Sequence, residues 1–268
     1  MAAHMHIEIL QRIESALQAT HAVFQRLTLG QIQAECKAGH DPVTEADRAL
    51  DRLLRKELLR KGEGWLSEES VDDLSRLERS RVWVVDPLDG TREFLAAISE
   101  YCVSVAMVED GRPVAGGIYN PATNETFLGS TESGVTYNGK PVVASQRKSL
   151  DGAVVLASRS ELNRGQWKRF ENAHFKIRPM GSVAYKLALV SAGFADATFT
   201  LVPKHEWDVA AGASLVESSG GFVTTLDARR LQCNQRYPLL TGLIACGPFL
   251  ADELMSLLKV PSWHPDKA

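Results

Sequence analysis

The chain has 268 residues, enough for one large domain or two small ones around a substantial core. Its 30 Lys and Arg nearly balance its 33 Asp and Glu, and the formal net charge of −3 excludes a surface built to coat nucleic acid. No apolar run reaches membrane-spanning length, no signal-peptide pattern opens the chain, and the four cysteines (Cys36, Cys102, Cys233, Cys246) form no CxxC pair. These features predict a cytoplasmic protein with reduced thiols, without a transmembrane segment and without zinc.

Leu10, Ile13, Leu17, Phe24 and Leu27 recur at helical spacing and predict an amphipathic helix over 6–29, with Gly30 as its stop. A polar connector leads to Asp41-Pro42-Val43-Thr44-Glu45-Ala46-Asp47. Ala46, Ala49, Leu50, Leu53, Leu54 and Leu58 then predict a second helix that ends before Gly62. Thr44-x-x-Asp47 forms a capping box, and on that pattern alone Asp47 reads as a cap rather than a catalytic group. A carboxylate in a first helical turn is nevertheless well placed for a neighbouring site. Trp65-Leu66 runs into the adjacent acids Glu68 and Glu69, which by themselves read as a solvated loop.

Val82-Trp83-Val84-Val85 is β-branched or aromatic throughout, the mark of a buried strand. It leads directly into Asp86-Pro87-Leu88-Asp89-Gly90-Thr91, which predicts a rigid turn. Two carboxylates held that close repel each other unless a cation lies between them. Arg92-Glu93-Phe94-Leu95 opens a short helix or loop. Between Tyr101 and Ser145 the pattern has period two, broken at Asp110-Gly111, Asn120-Pro121 and Asn138-Gly139. That predicts an antiparallel meander over 101–109, 113–119, 125–130 and 141–145. Lys148 to Gly152 marks a boundary between an α+β half (1–148) and an α/β half (149–268). The second half alternates: strands over 153–157, 175–178, 195–200, 222–225 and 240–246, and helices over 164–173, 184–192, 205–218 and 249–258.

The polar groups at the ends of apolar elements are Asp47, Glu68, Glu69, Asp86, Asp89, Thr91 and Asp208. A set of hard oxygen donors suits Mg²⁺, with Mn²⁺ as a substitute, and so many acids in one place call for two or more ions. Paired ions can clamp a phosphoryl group and assist an in-line displacement by water. The glycine-flanked stretches Gly90-Thr91 and Gly181-Ser182 are candidates to donate amides to phosphate oxygens. The chain has no GxxxxGK[ST] loop, GxSxG elbow or CxxxxxR cradle, which argues against P-loop chemistry and against a covalent serine or cysteine hydrolase.

Asp86-Pro87-Leu88-Asp89-Gly90-Thr91 resembles the metal-binding signature of the inositol monophosphatase superfamily of lithium-sensitive, Mg²⁺-dependent phosphatases. Trp207-Asp208-Val209-Ala210-Ala211-Gly212, with Gly220-Gly221 downstream, resembles its second signature. Asp41 to Asp47 and Ser67-Glu68-Glu69-Ser70 match two further motifs in the family's order, so the resemblance spans nearly the whole chain. It implies a layered αβαβα sugar-phosphatase fold with the site between the two halves. It also implies two or three Mg²⁺ ions held by Glu68, Asp86, Asp89, Asp208 and the carbonyl of Leu88. Thr91 and Asp47 would position and deprotonate the attacking water, with Glu69 in support. The resemblance therefore reverses the reading of Asp47 as only a cap.

Within the superfamily, Arg92-Glu93-Phe94 is similar to the CysQ-type 3′(2′),5′-bisphosphate nucleotidases, as is Gly181-Ser182 followed by Lys186. That resemblance implies hydrolysis of adenosine 3′,5′-bisphosphate to AMP and phosphate, in the service of sulfate assimilation. Lys186 either meets the second phosphate or is a solvated helix lysine. Lys204 and His205 either contact phosphate or base, or cap the next helix. The position seven residues before Asp208, where inositol monophosphatases hold sugar hydroxyls with an acid, is Leu201; the Pro-Arg-x-Gly stretch usual in nucleotidases is also missing. The substrate-binding set is thus Gly90, Thr91, Arg92, Gly181, Ser182, Lys186, Lys204 and His205, with a small phosphorylated molecule as partner. Three alternatives stand: an inositol-1-phosphate or sugar (bis)phosphate phosphatase, a non-catalytic metal- or phosphate-binding homologue, and a nuclease on very short RNA. The lack of a basic stripe speaks against the nuclease, and a homodimer is left open.

Overall fold

The computed structural model describes residues 2–26, 34–36 and 42–261. Helix α1 (Ala2–Gln25) comes first, then two short paired strands, β1 (Ala34–Cys36) and β2 (Pro42–Thr44). Helix α2 (Glu45–Leu58) follows with the predicted capping box: Ala46 donates its amide to Thr44 Oγ1 at 3.1 Å, and Thr44 donates its own to Asp47 at 2.7 Å. The expected helix stop at Gly30, and Asp41 of the first motif, lie outside the described residues.

A seven-stranded sheet is built from β3 (Gly64–Ser67), β4 (Arg81–Asp89), β5 (Cys102–Glu109), β6 (Arg112–Asn120), β7 (Glu125–Ser130), β8 (Gly134–Tyr137) and β9 (Lys140–Val142), neighbours in chain order. The five-residue helix α3 (Thr91–Leu95) interrupts it after β4. Only β3 and β4 run parallel; every other pair is antiparallel. The meander has one strand more than the sequence pattern predicts. Asn138 and Gly139, at φ +47° and +76°, form a two-residue hairpin turn, so a strand lies on each side of it.

A second sheet combines β10 (Val154–Ser158), β11 (Lys176–Met180), β12 (Ala197–Thr200), β14 (Phe222–Thr225) and β16 (Leu243–Cys246) in the order β11-β10-β12-β16-β14. Helix α4 (Arg159–Asn163) follows β10, helix α5 (Val183–Ser191) follows β11, and α6 (Glu206–Ser218) follows the two-residue strand β13 (Lys204–His205). That strand pairs with β15 (Leu239–Leu240), and α7 (Ala251–Leu258) closes the chain's regular structure.

The predicted helix over 164–173 does not form. The helical segment comes earlier, where Ser158 accepts from the amide of Glu161 at 3.4 Å, and Gly165 at φ +76° ends it. What remains of the expected helix is a short 3₁₀ turn over 168–170. There Trp167 and Phe170 pack against Phe199, with Trp167 and Phe199 stacked 4.3 Å apart.

Strand β4 shows how the layers assemble. Side chains alternate across a strand, and here both faces are covered, so the apolar run is continuous. Trp83 and Val85 pack with Ile9, Ile13 and Leu17 of α1 and with Leu54 and Leu58 of α2. Val82 and Val84 pack with α5 and α6 on the other face. The second sheet lies beyond those two helices, and its far face packs against Leu250 and against α7 through Leu254 and Leu258. The stack is αβαβα, as the resemblance implied.

Candidate functional site

One pocket of about 770 Å³ collects thirteen of the fifteen candidate residues: Glu68, Asp86, Leu88, Asp89, Gly90, Thr91, Arg92, Gly181, Ser182, Lys186, Lys204, His205 and Asp208. Its floor is acidic. A carboxylate oxygen from each of Glu68, Asp86 and Asp208 lies within 4.8 Å of the other two. They come from the loop after β3, the end of β4 and the first turn of α6, far apart in sequence and joined only by folding.

The Asp86–Asp89 stretch corrects the expected turn. Strand β4 continues to Asp89, with a register shift between Asp86 and Asp89 where Pro87 has no amide to give the ladder. The bulge aims Asp86 inward, where it is 2 % exposed and accepts from the amide of Leu88 at 3.0 Å. Burial, with Glu68, Asp89 and Asp208 nearby, pushes the Asp86 carboxyl well above its usual range. Burial, with Asp89 next in weight, pushes Asp208 up to about 7.

Asp89 lines the same pocket but has partners of its own. It accepts from the Ser182 hydroxyl at 2.7 Å and from the amide of Ala184 at 2.6 Å, so it occupies the N-terminus of α5. Gly181 donates its amide to Glu100 at 2.8 Å. These contacts engage the Gly181 amide, one of the two expected to face a phosphate, and the Ala184 amide with carboxylates. Ser182 holds a left-handed backbone, φ +47°, and its hydroxyl also accepts from Tyr185 at 3.0 Å, which helps to offset the strain.

Asp47 and Glu69 do not line the pocket. Asp47 lies behind Thr91, whose hydroxyl is 3.2 Å from Asp47 Oδ1 and 3.1 Å from the carbonyl of Leu88. Its other oxygen serves the cap, so one carboxylate reaches both the helix N-terminus and Thr91.

The wall opposite the acids is cationic. The Lys186 side chain is 3 % exposed, and its ammonium feels the carboxylates of Asp89, Glu161 and Glu93 without closing a salt bridge to any of them. Burial pulls its ammonium down to about 8. It is therefore not a solvated helix lysine. Lys204 lines the same wall, while His205 precedes α6, stacks on Trp207 at 4.3 Å and donates its amide to Asp208 at 2.9 Å. Leu201 packs into the second core and does not line the pocket.

Sequence reasoning missed Ser158, Arg159, Ser160 and Arg164, which complete the wall. Arg159 pairs with Glu100 and lies 3.7 Å from Glu93, joining α4 to the loop around α3. The available signal was their place after a parallel strand, since α/β sheets bind ligands beyond their carboxyl ends. Expecting the helix five residues late hid it.

The donor set fits divalent cations of the Mg²⁺ class, because the clustered groups are all oxygens and their burial leaves negative charge that a cation would neutralise.

A family model described as "Inositol monophosphatase family" matches residues 7–259. An inositol-1-monophosphatase from Rhizobium meliloti (strain 1021) is 33 % identical over 240 residues, covering 86 % of this chain and 87 % of that protein. A fructose-1,6-bisphosphatase/inositol-1-monophosphatase from Thermotoga maritima is 31 % identical over 208 residues, covering 76 % and 79 %. The crystal structure of the extragenic suppressor protein SuhB from Bartonella henselae superposes with a TM-score of 0.79 at 30 % identity, covering 95 % of this chain and 100 % of that one. These relatives carry inositol phosphatase and SuhB names, not the nucleotidase name to which Arg92-Glu93-Phe94 pointed. The match over nearly the whole chain makes this protein a member of the inositol monophosphatase family.

Proposed function

We propose that the chain is a Mg²⁺-dependent phosphomonoesterase acting on a small phosphorylated polyol or sugar, with inositol 1-phosphate the first candidate. The observation that carries this reading is the Glu68–Asp86–Asp208 cluster sharing one pocket with Thr91, which Asp47 backs from behind. Glu68, Asp86, Asp208, Asp89 and the Leu88 carbonyl would hold the ions. Bound there, they supply Lewis-acid stabilisation of charge on the phosphoryl oxygens and on the leaving oxygen.

The protein's own groups do the rest. Thr91 Oγ1 donates its proton to Asp47 Oδ1, which leaves its lone pairs free to accept from the attacking water and orient it. Asp47, held by Thr44, takes up the proton through that hydroxyl. The cationic wall binds and orients the part of the substrate that is not cleaved.

A second reading keeps adenosine 3′,5′-bisphosphate as substrate. A buried ammonium that lines the pocket and closes no salt bridge, at Lys186, favours a ligand that brings a second anion. Phosphate release with Mg²⁺ should be compared for inositol 1-phosphate, fructose 1,6-bisphosphate and adenosine 3′,5′-bisphosphate, each with and without lithium. A lithium-sensitive preference for inositol 1-phosphate supports the first reading, and a preference for the nucleotide supports the second. No release from any of the three sinks the enzymatic reading.

A further inference from the structure

Asp51 has no part in the chemistry above, yet it is 7 % exposed and has no cationic partner among the described residues. Burying a carboxylate on those terms is costly, so its contacts need a reason. Oδ1 accepts from the Ser67 hydroxyl at 2.6 Å, and Oδ2 accepts from the Ser70 hydroxyl at 2.6 Å. Those serines flank Glu68 and Glu69 on either side.

The proton directions are determined. A carboxylate only accepts, so both hydroxyls must donate to it and keep their lone pairs for other donors. Ser67 Oγ then accepts from the amide of Glu69 at 3.3 Å, and Ser70 Oγ accepts from Trp65 Nε1 at 3.3 Å. Glu68 itself is tied to β4 by its amide, 3.3 Å from the carbonyl of Val85. Asp51 also lies one helical turn after Asp47 on α2, so one helix contacts both Thr91 and the 67–70 loop.

We infer that Asp51 is a positioning residue that sets Mg²⁺ affinity by clamping the Ser67–Ser70 loop and so fixing where Glu68 meets Asp86 and Asp208. This inference rests on the metal-site reading above. Partners that orient a ligand group commonly change metal affinity about 10- to 100-fold when removed.

The test is Asp51→Asn, which keeps size but offers one acceptor and one donor group, so only one serine can still donate to it. Mg²⁺ binding is measured by calorimetry on the folded, metal-free protein, alongside the Mg²⁺ dependence of turnover. The expected result is about tenfold weaker Mg²⁺ binding. Turnover at saturating Mg²⁺ should stay within a few-fold of wild type, and the metal-free Tm within a few degrees. Ser70→Ala, a milder change, should weaken binding less and add little on top of Asp51→Asn. Unchanged Mg²⁺ affinity in folded Asp51→Asn overturns the proposal, as does turnover lost in step with Tm. If Asp51→Asn does not fold, unchanged Mg²⁺ affinity in Ser70→Ala overturns it instead. Wild-type protein that takes up no Mg²⁺ would remove the metal reading as well, an outcome distinct from equal binding by wild type and variant.

Discussion

Asp86 and Asp89 sit three residues apart on one strand end, yet their surroundings differ. Asp86 is buried among like charges, and its carboxyl is pushed up for that reason. Replacing it with the isosteric, neutral Asn removes the repulsion along with a cation-binding oxygen. Asp86→Asn should therefore lose turnover by more than about 100-fold, while the metal-free Tm stays level or rises. Near-normal turnover in this variant would remove Asp86 from the metal set. Lys186 gives a prediction in pH. Its ammonium, pulled down to about 8 by burial, is charged below that value and loses its charge as pH rises through it. If it meets a second phosphate, KM for adenosine 3′,5′-bisphosphate should rise above about pH 8, and KM for inositol 1-phosphate should not. Lys186→Met should flatten that dependence. An equal pH profile for both substrates would remove Lys186 from second-anion binding.

At the level of elements, α5 and α6 lie between the sheets and carry Lys186 and Asp208 to one pocket. Their approach depends on Gly212: a Cβ there would lie 2.3 Å from Leu187 Cβ. Gly212→Ala forces the helices apart and should cost roughly 1–3 kcal/mol by overpacking. In a thermal melt that is a drop on the order of 5 °C. An unchanged Tm would mean the pair can shift without loss. Elements with strong periodicity were legible from sequence: α2, α6, the start of β4 and the first three strands of the meander form close to where the pattern put them. The segment over 159–173 was not. Its apolar residues have helix-like spacing, but Trp167 and Phe170 are placed by packing against Phe199, and Gly165 breaks the helix that spacing suggests.

For the whole molecule, the acidic pocket floor joins groups from β4, α6 and the loop after β3, so a bound cation cross-links distant parts of the chain. Mg²⁺ should therefore stabilise the fold by ~2.7 kcal/mol at about 100 times its Kd, and a chelator should reverse the gain. A Tm that ignores both Mg²⁺ and chelator would contradict the shared cation site. Among the described residues no helix is long and apolar enough to cross a membrane.

The sequence by itself determined the oxygen-donor set and where most elements lie, and its family resemblance implied the layer order. Acids at element ends, a strand apolar on both faces and a capping box are local patterns, and local patterns survive in one dimension. Only the tertiary structure decided which of those groups meet. It placed Asp89 on the N-terminus of α5, Asp47 behind Thr91, Arg159 in the wall and Asp51 between two serines. Each of these contacts joins residues at least 16 positions apart, the least being Asp51 to Ser67. Such contacts are set by how layers pack and not by the spacing of neighbours along the chain.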